Sequence, residues 1–81
     1  MTQFDWFSQA RIHETSGDLK AALEAYESAL KIDPKFAKAW YYKAKLHLRM
    51  GQKKEAKESA NKALEFEPKW EKHVEKLLAG I

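Results

Sequence analysis

Apolar residues recur every three or four positions along most of this 81-residue chain. That spacing places side chains on one face of an α-helix. In the segment Leu19–Ile32 the apolar face is formed by Ala22, Leu23, Tyr26, Ala29 and Leu30. The same spacing predicts further helices over Gln3–Thr15, Ala37–Arg49 and Lys53–Phe66. The pattern therefore predicts an all-α fold.

Glycine and proline separate the predicted helices. Gly17 and Gly51 each follow a helical segment, and glycine readily adopts the positive φ angle that ends a helix. Asp18 can accept a hydrogen bond at the start of the second helix. Pro34 stops that helix, and Pro34 and Pro68 both fit the first turn of the helix that follows. Each pair of helices is thus predicted to form a hairpin.

The sequence repeats after 34 residues. This shift pairs identical residues: Trp6 with Trp40, Ala10 with Ala44, His13 with His47, Gly17 with Gly51, Ala22 with Ala56, Ala29 with Ala63, Leu30 with Leu64, and Pro34 with Pro68. Such order indicates tandem copies of one structural unit. A third, partial copy begins at Lys69, where Val74, Leu77 and Leu78 form one stripe. It predicts a terminal helix that covers the apolar face of Lys53–Phe66.

The order of residues within each copy resembles the tetratricopeptide repeat (TPR). The residues that match are Trp6, Ala10, Gly17, Ala22, Tyr26, Ala29 and Pro34 in the first copy, and Trp40, Ala44, Gly51, Ala56, Ala63 and Pro68 in the second. The resemblance spans nearly the whole chain. It implies antiparallel helix hairpins stacked as an α-solenoid of five helices, in a single domain over residues 1–81. Repeat one covers about 3–36, repeat two about 37–70, and the capping helix about 69–79.

Three departures from the family pattern accompany this resemblance. Gln9 and Lys43 replace the usual leucine, and His13 and His47 replace the usual tyrosine. Alanine also stands at position 60, where the first copy has a tyrosine. We therefore expect the second hairpin to pack less fully than the first.

Composition excludes several classes of protein. No cysteine is present, which excludes disulfides, thiolate metal sites and cysteine nucleophiles. No apolar run approaches the roughly 20 residues of a membrane span. No Lys or Arg precedes the aromatic residues within positions 1–8, so we expect no secretory signal. These features favour a cytoplasmic protein that does not bind membranes.

The sequence contains no motif that indicates catalysis. It has no Gly-rich phosphate loop, no Gly-x-Ser-x-Gly elbow and no His-Glu-x-x-His motif. His13 and His47 occupy equivalent positions in adjacent hairpins, roughly 8–10 Å apart, and zinc usually takes three or four ligands. We expect both to be structural, with one ring nitrogen hydrogen-bonded, and His73 to lie on the surface. The predicted protein is not an enzyme and has no cofactor or metal.

In proteins of this family the first helix of each hairpin lines a concave groove. Transfer of that face to this chain gives the candidate peptide-binding residues Phe7, Arg11, Lys38, Tyr41, Tyr42, Lys45, Arg49, Lys72 and Lys76. With Glu14 and Glu75, the face holds six basic and two acidic residues, a charge of +4, and the remainder of the molecule carries −1. The expected function is a protein-interaction module that binds an acidic peptide or C-terminal segment.

Other interpretations of the same face stay open. The basic residues can be merely solvated, with the aromatic residues completing the packing between hairpins. The chain can self-associate through an uncovered end of its short stack. Nucleic acid can bind with its bases stacked on Tyr41 and Tyr42, but the modest net charge of +3 disfavours this. Some family members clamp the acidic tail of heat-shock chaperones, and of the residues that do so only Lys72 and Lys76 keep their charge character here.

Overall fold

The computed structural model describes residues 1–79, so residues 80 and 81 of the expected domain lie outside it. The chain forms α1 (Gln3–Thr15), α2 (Leu19–Ile32), α3 (Ala37–Arg49), α4 (Lys53–Phe66) and α5 (Glu71–Leu78), with a 3₁₀ turn at Pro68–Trp70 before α5. The predicted all-α fold of five helices is confirmed. The bounds of the first four helices agree with the prediction, and the terminal helix begins as the 3₁₀ turn.

Short polar side chains fix the beginnings of the first two helices. The Asp5 backbone N–H donates to the Thr2 hydroxyl at 3.3 Å, and the Thr2 backbone N–H donates to the Asp5 carboxylate at 2.8 Å. This reciprocal capping box satisfies backbone donors that an isolated helix leaves unpaired. Asp18 caps α2 as predicted, accepting from the Ala21 backbone N–H at 3.2 Å.

Both predicted glycine turns adopt left-handed backbone. Gly17 has a φ angle of 86° and Gly51 of 75°, in the region where a side chain at Cβ is disfavoured. Each closes a hairpin, α1 with α2 and α3 with α4.

The two prolines differ from one another. Pro68 begins the 3₁₀ turn as predicted, but Pro34 lies in a turn ahead of α3, which starts at Ala37. The Pro34 carbonyl accepts a hydrogen bond from the Trp40 indole N–H at 2.8 Å, which ties this turn to α3.

Repeated alanines form the contacts between helices. Six of them are fully buried: Ala10, Ala22, Ala29, Ala44, Ala56 and Ala63. Their small side chains let helix backbones approach, and larger residues fill the remaining space. Tyr26 fills this space within the first hairpin, and Leu46 fills it between the two hairpins. In the second hairpin, where Ala60 replaces a tyrosine, Val74 of α5 packs against Ala60 and Ala44.

Helix α3 lies at the centre of the stack. Leu46 on one flank packs with residues of α1 and α2, and Ala44 on the other packs with α4 and α5. The two remaining sides of α3 carry half-buried side chains, Tyr41 and Tyr42 on one and Trp40 and Lys43 on the other. Within residues 1–79, none of the helices has the length and apolar character of a membrane span.

Candidate peptide-binding face

One solvent-facing side of α3 carries the predicted binding residues. Lys38, Lys45 and Arg49 lie three or four positions from Tyr41, Tyr42 or each other, so these five residues share one face of the helix. Buried contacts on both flanks of α3 fix the direction of this face: Leu46 packs with α1 and α2, and Ala44 packs with α4 and α5. We call this surface, together with Phe7 and Arg11 of α1, the groove face.

Cations and aromatic rings alternate across the groove face. The Arg11 guanidinium lies 4.4 Å from the centre of the Tyr42 ring, and the Lys45 ammonium lies 5.3 Å from it. Lys45 also lies 5.8 Å from the Tyr41 ring, and Lys38 lies 5.3 Å from the Phe7 ring. All four distances fall within the range of cation–π attraction. The helix hairpins thus bring residues of the two copies into direct contact.

An unbroken row of aromatic rings runs beneath these cations. Ring centroids are 5.3 Å apart for Phe7 and Tyr42, 5.7 Å for Tyr42 and Tyr41, and 5.9 Å for Tyr41 and Trp70. Each pair meets edge to face, the favoured geometry for aromatic pairs. The row extends from α1, across α3, to the 3₁₀ turn. It therefore joins three elements into one apolar surface.

The buried carboxylate of Glu14 holds Arg11 and Arg49 in position. The sequence predicts Glu14 on the binding face but assigns it no role. The Tyr26 hydroxyl donates to Glu14 Oε1 at 2.6 Å, and Arg11 donates to the same oxygen at 3.4 Å. Arg49 donates to Glu14 Oε2 at 3.5 Å and to the Glu14 backbone carbonyl at 3.5 Å. Position 14 aligns with Leu48 in the second copy. Leucine at the equivalent position is the sequence feature that indicates an inward-facing side chain at position 14.

The network also shifts the pKa values of Tyr26 and Arg11. Burial raises the pKa of Tyr26, and its hydrogen bond to the Glu14 carboxylate raises it further, because both favour the neutral phenol. Burial opposes the charge of Arg11, but the neighbouring Tyr26 and Glu14 oxygens outweigh it and raise the pKa of Arg11 above its ordinary value. Tyr26 therefore stays a hydrogen-bond donor and Arg11 stays a cation.

The place of Lys72 and Lys76 on the groove face stays a prediction. Both are exposed, and each lies two positions from buried Val74, so roughly 200° around the helix from it. Among the described residues, no ion pair or cation–π contact links them to the groove face. From this end of the chain, Trp70 and His73 instead join Lys38, Tyr41 and Tyr42 in a pocket of about 260 Å³.

The histidines differ in their surroundings. The ring of buried His47 donates from Nδ1 to Gln52 Oε1 at 2.7 Å, which is the structural role expected for it. The half-buried ring of His13 has no such bond among residues 1–79. His73 is exposed, as expected, and contributes to the pocket. In the described part of the chain, no three His, Asp or Glu side chains are grouped closely enough to hold a metal ion.

Comparison with known families agrees with this architecture. The model of the tetratricopeptide repeat matches residues 15–81, from the end of α1 onwards. No curated protein sequence matches the chain. Repeats of this family are non-catalytic and generally mediate interactions between proteins. From the matched region, the 34-residue period and the stacked hairpins, the chain belongs to the tetratricopeptide repeat family.

Proposed function

We propose that this chain is a protein-interaction module whose groove face binds an acidic segment of a partner protein. The observation that carries the proposal is the arrangement of three cations over one row of aromatic rings. Arg11 and Lys45 both approach Tyr42, and Lys38 approaches Phe7. An extended segment lying along the row would meet these cations in succession.

The face keeps positive charge after its internal pairing is counted. Arg11 and Arg49 share the single carboxylate of Glu14. Lys38 and Lys45 have no carboxylate within ion-pair distance among residues 1–79. These five groups therefore carry three net positive charges. Carboxylates of a partner would interact first with the two lysines, which have no competing internal partner.

The neighbouring pocket supplies an apolar component. Tyr41, Tyr42 and Trp70 line a space of about 260 Å³ beside Lys38. Burying one apolar side chain there contributes about 1.5–3 kcal/mol, and each charge-assisted hydrogen bond about 1.5–3 kcal/mol. After the cost of association, a few such contacts are compatible with micromolar affinity, about −8 kcal/mol. The expected partner sequence is therefore acidic residues flanking one large apolar residue.

Fluorescence anisotropy with matched peptides tests this proposal. One labelled peptide pool alternates Asp and Glu around a central Leu, and its control pool carries Asn and Gln instead. We expect the acidic pool to bind at least about tenfold more tightly, as two charge-assisted contacts imply. The double variant Lys38→Gln/Lys45→Gln should remove most of that preference, because it changes exposed side chains that hold no part of the core.

The matched control is Lys20→Gln/Lys57→Gln, which removes the same charge from exposed positions outside the groove face. We expect it to change the affinity by less than about twofold, since distant surface charges are largely screened. Equal losses in the two double variants would mean general electrostatic attraction and would contradict the proposed site. Absence of any preference for the acidic pool would contradict the proposed partner.

A second candidate function, self-association, rests on the outer side of α1. Phe4 and Ile12 are exposed large apolar residues eight positions apart, so they lie on one face of the helix. A repeat stack that ends on such a face can pair it with a second copy. Sedimentation velocity over a range of concentrations tests this, with Phe4→Gln/Ile12→Gln as the variant that should abolish the dimer. A monomer at all concentrations would contradict it.

A further inference from the structure

The side of α3 opposite the groove face lines a second, larger concavity. Trp40, Lys43 and His47 are spaced by three and four positions, and this places them about half a turn from Tyr41 and Tyr42. Together with Glu27 of α2 and residues of α4 they line an open concavity of about 690 Å³. We call this concavity the outer groove. Its volume lies in the range of pockets that hold a ligand of several groups.

The outer groove carries excess negative charge. Its lining includes Glu27, Glu55, Glu58 and Glu65, together with Lys43 and Lys62. Both lysines are already paired, since Lys43 lies 3.6 Å from Glu27 and Lys62 lies 3.4 Å from Glu65. No described cation pairs with Glu55 or Glu58. The two negative charges that remain are therefore located on these two glutamates of α4.

Two buried polar side chains in the outer groove have unused hydrogen-bonding atoms. Ser59 is 4% exposed and His47 is 6% exposed, and both line the groove. No described residue bonds to the Ser59 hydroxyl, and His47 is bonded only through Nδ1, to Gln52. In the part of the chain that is described, every fully enclosed side-chain nitrogen or oxygen has a partner. The free atoms of Ser59 and His47 therefore retain access to the groove.

The polarity of these atoms favours a ligand that donates hydrogen bonds. Gln52 Oε1 is an acceptor, so His47 Nδ1 carries the proton in their 2.7 Å bond. In the neutral ring the other nitrogen, Nε2, is then an acceptor. The Ser59 hydroxyl can also accept, and the carboxylates of Glu55 and Glu58 only accept. These four side chains thus offer hydrogen-bond acceptors to a bound group.

We propose that the outer groove binds an arginine side chain from a basic segment of a partner protein. The guanidinium carries a positive charge and five N–H donors in a planar fork, which matches two carboxylates without a described ion-pair partner and two further acceptor atoms in one groove. The Trp40 ring, which lines the groove, already contacts one cation, because the Lys43 ammonium lies 5.0 Å from the centre of that ring. A basic segment is repelled by the cationic groove face on the other side of α3. Charge therefore directs it to the outer groove.

Titration of labelled short peptides tests this site independently of the groove face. The probes are a Gly-Ser peptide that contains arginines and two matched peptides with lysine or glutamine in their place. We expect the arginine peptide to bind more tightly than the lysine peptide and at least about tenfold more tightly than the glutamine peptide. In an amide NMR titration the arginine peptide should shift residues 55–62 and leave the groove face unchanged.

Three variants identify the contacts. Glu55→Gln/Glu58→Gln should weaken binding of the arginine peptide by about tenfold or more, whereas Glu24→Gln/Glu71→Gln, which removes the same charge elsewhere, should change it by less than about twofold. Ser59→Ala should weaken it by about threefold. This third variant keeps all charges, and alanine has a higher helix propensity than serine, so it tests the Ser59 contact without weakening α4.

Several outcomes would overturn the proposal. These are equal affinity for the arginine and glutamine peptides, equal losses in the two double variants, or shifts confined to the groove face. Self-association of the wild type that disappears in Glu55→Gln/Glu58→Gln would also overturn it, because the occupant would then be a second copy of this chain. Circular dichroism of each variant confirms that the helices are intact.

Discussion

Replacing Glu14 with glutamine should destabilise the protein and, at the same time, strengthen its binding to acidic peptides. The Glu14 side chain is only 8% exposed, and it holds the Tyr26 hydroxyl at 2.6 Å and the guanidinium groups of Arg11 and Arg49 at 3.4 and 3.5 Å. Glutamine keeps the shape of the side chain. It removes the negative charge and turns an N–H₂ group towards groups that are themselves donors.

The expected loss of stability is about 2 kcal/mol. Weakening the buried Tyr26 hydrogen bond from a charged to a neutral one costs about 1 kcal/mol. The Arg11 and Arg49 side chains are 43% and 51% exposed, so solvent screens their ion pairs and each adds only a few tenths to about 1 kcal/mol. For a domain of this size, about 2 kcal/mol lowers the melting temperature by roughly 8–16 °C. This is a large part of the roughly 3–5 kcal/mol that a single small core provides.

Binding should change in the opposite direction. Loss of the Glu14 charge leaves Arg11 and Arg49 without their shared partner and raises the net charge of the groove face by one. We expect the affinity for the acidic peptide pool to rise by about twofold to fivefold, the range for partly exposed charges. Thermal melts by circular dichroism and anisotropy titrations at pH 7 measure both effects on the same samples.

The exposed substitution Glu24→Gln is the control, since it removes one negative charge from a side chain without a described ion-pair partner. It should leave both measurements nearly unchanged. A melting temperature for Glu14→Gln within about 2 °C of wild type would refute the stabilising role assigned to the buried carboxylate. A weaker affinity for acidic peptides would refute the competition argument and indicate that Glu14 holds the arginines in their binding positions.

Three further predictions concern the fold. The hydrogen bond from the Thr2 backbone lowers the pKa of Asp5, and the Thr2 hydroxyl lowers it further. Because this pKa is lower in the folded state, the carboxylate stabilises the protein above its ordinary value of about 4 and ceases to do so as the pH falls through the lowered value. Thermal melts should therefore show Asp5→Asn to be less stable than wild type at pH 6, with a difference that shrinks as the pH falls below about 4, and a constant difference would contradict the cap. Gly17→Ala should cost about 1–2 kcal/mol in urea unfolding, from the positive φ angle alone, because a Cβ at this site meets no atom within 4 Å. Lys20→Ala, at an exposed helical position, is its control, and a wild-type midpoint for Gly17→Ala would refute the backbone argument. Leu46→Ala should cost about 2–5 kcal/mol, because Leu46 is fully buried between the hairpins, and retention of a cooperative melt near the wild-type temperature would contradict its central role.

The helices and their bounds could be predicted because they depend on residues close together in the chain. The three-to-four-residue apolar spacing, the Asp18 cap and the glycines at positions 17 and 51 each act within one or two helical turns. Val74 was likewise predicted on the apolar stripe of the terminal helix, and it is buried there. Pro34 was less predictable, because two positions near it, a turn and a first helical turn, both suit proline.

The composition of the groove face could be predicted only in part. Seven of the nine candidate residues adjoin one another because equivalent positions of stacked repeats lie side by side. Lys72 and Lys76 were chosen by extending the same periodicity into the terminal helix. Trp70 and His73 line the groove pocket from that end, and the place of Lys72 and Lys76 on the groove face stays a prediction. The spacing predicted that Val74 packs on α4, but its contact with Ala44 of α3 depends on how the helices stack.

The sequence by itself determined the helices, their turns and the family, since these follow from local backbone preferences and a period that can be read along the chain. Only the tertiary structure decided how charge is distributed between the two open sides of α3. Glu14 and Arg49 are 35 residues apart, and their contact exists only because the hairpins stack. That contact neutralises part of the groove face, while Glu55 and Glu58 on the other side have no ion-pair partner within residues 1–79. The physical reason is that pairing between charges depends on their distance in space and on burial, and both are set by packing.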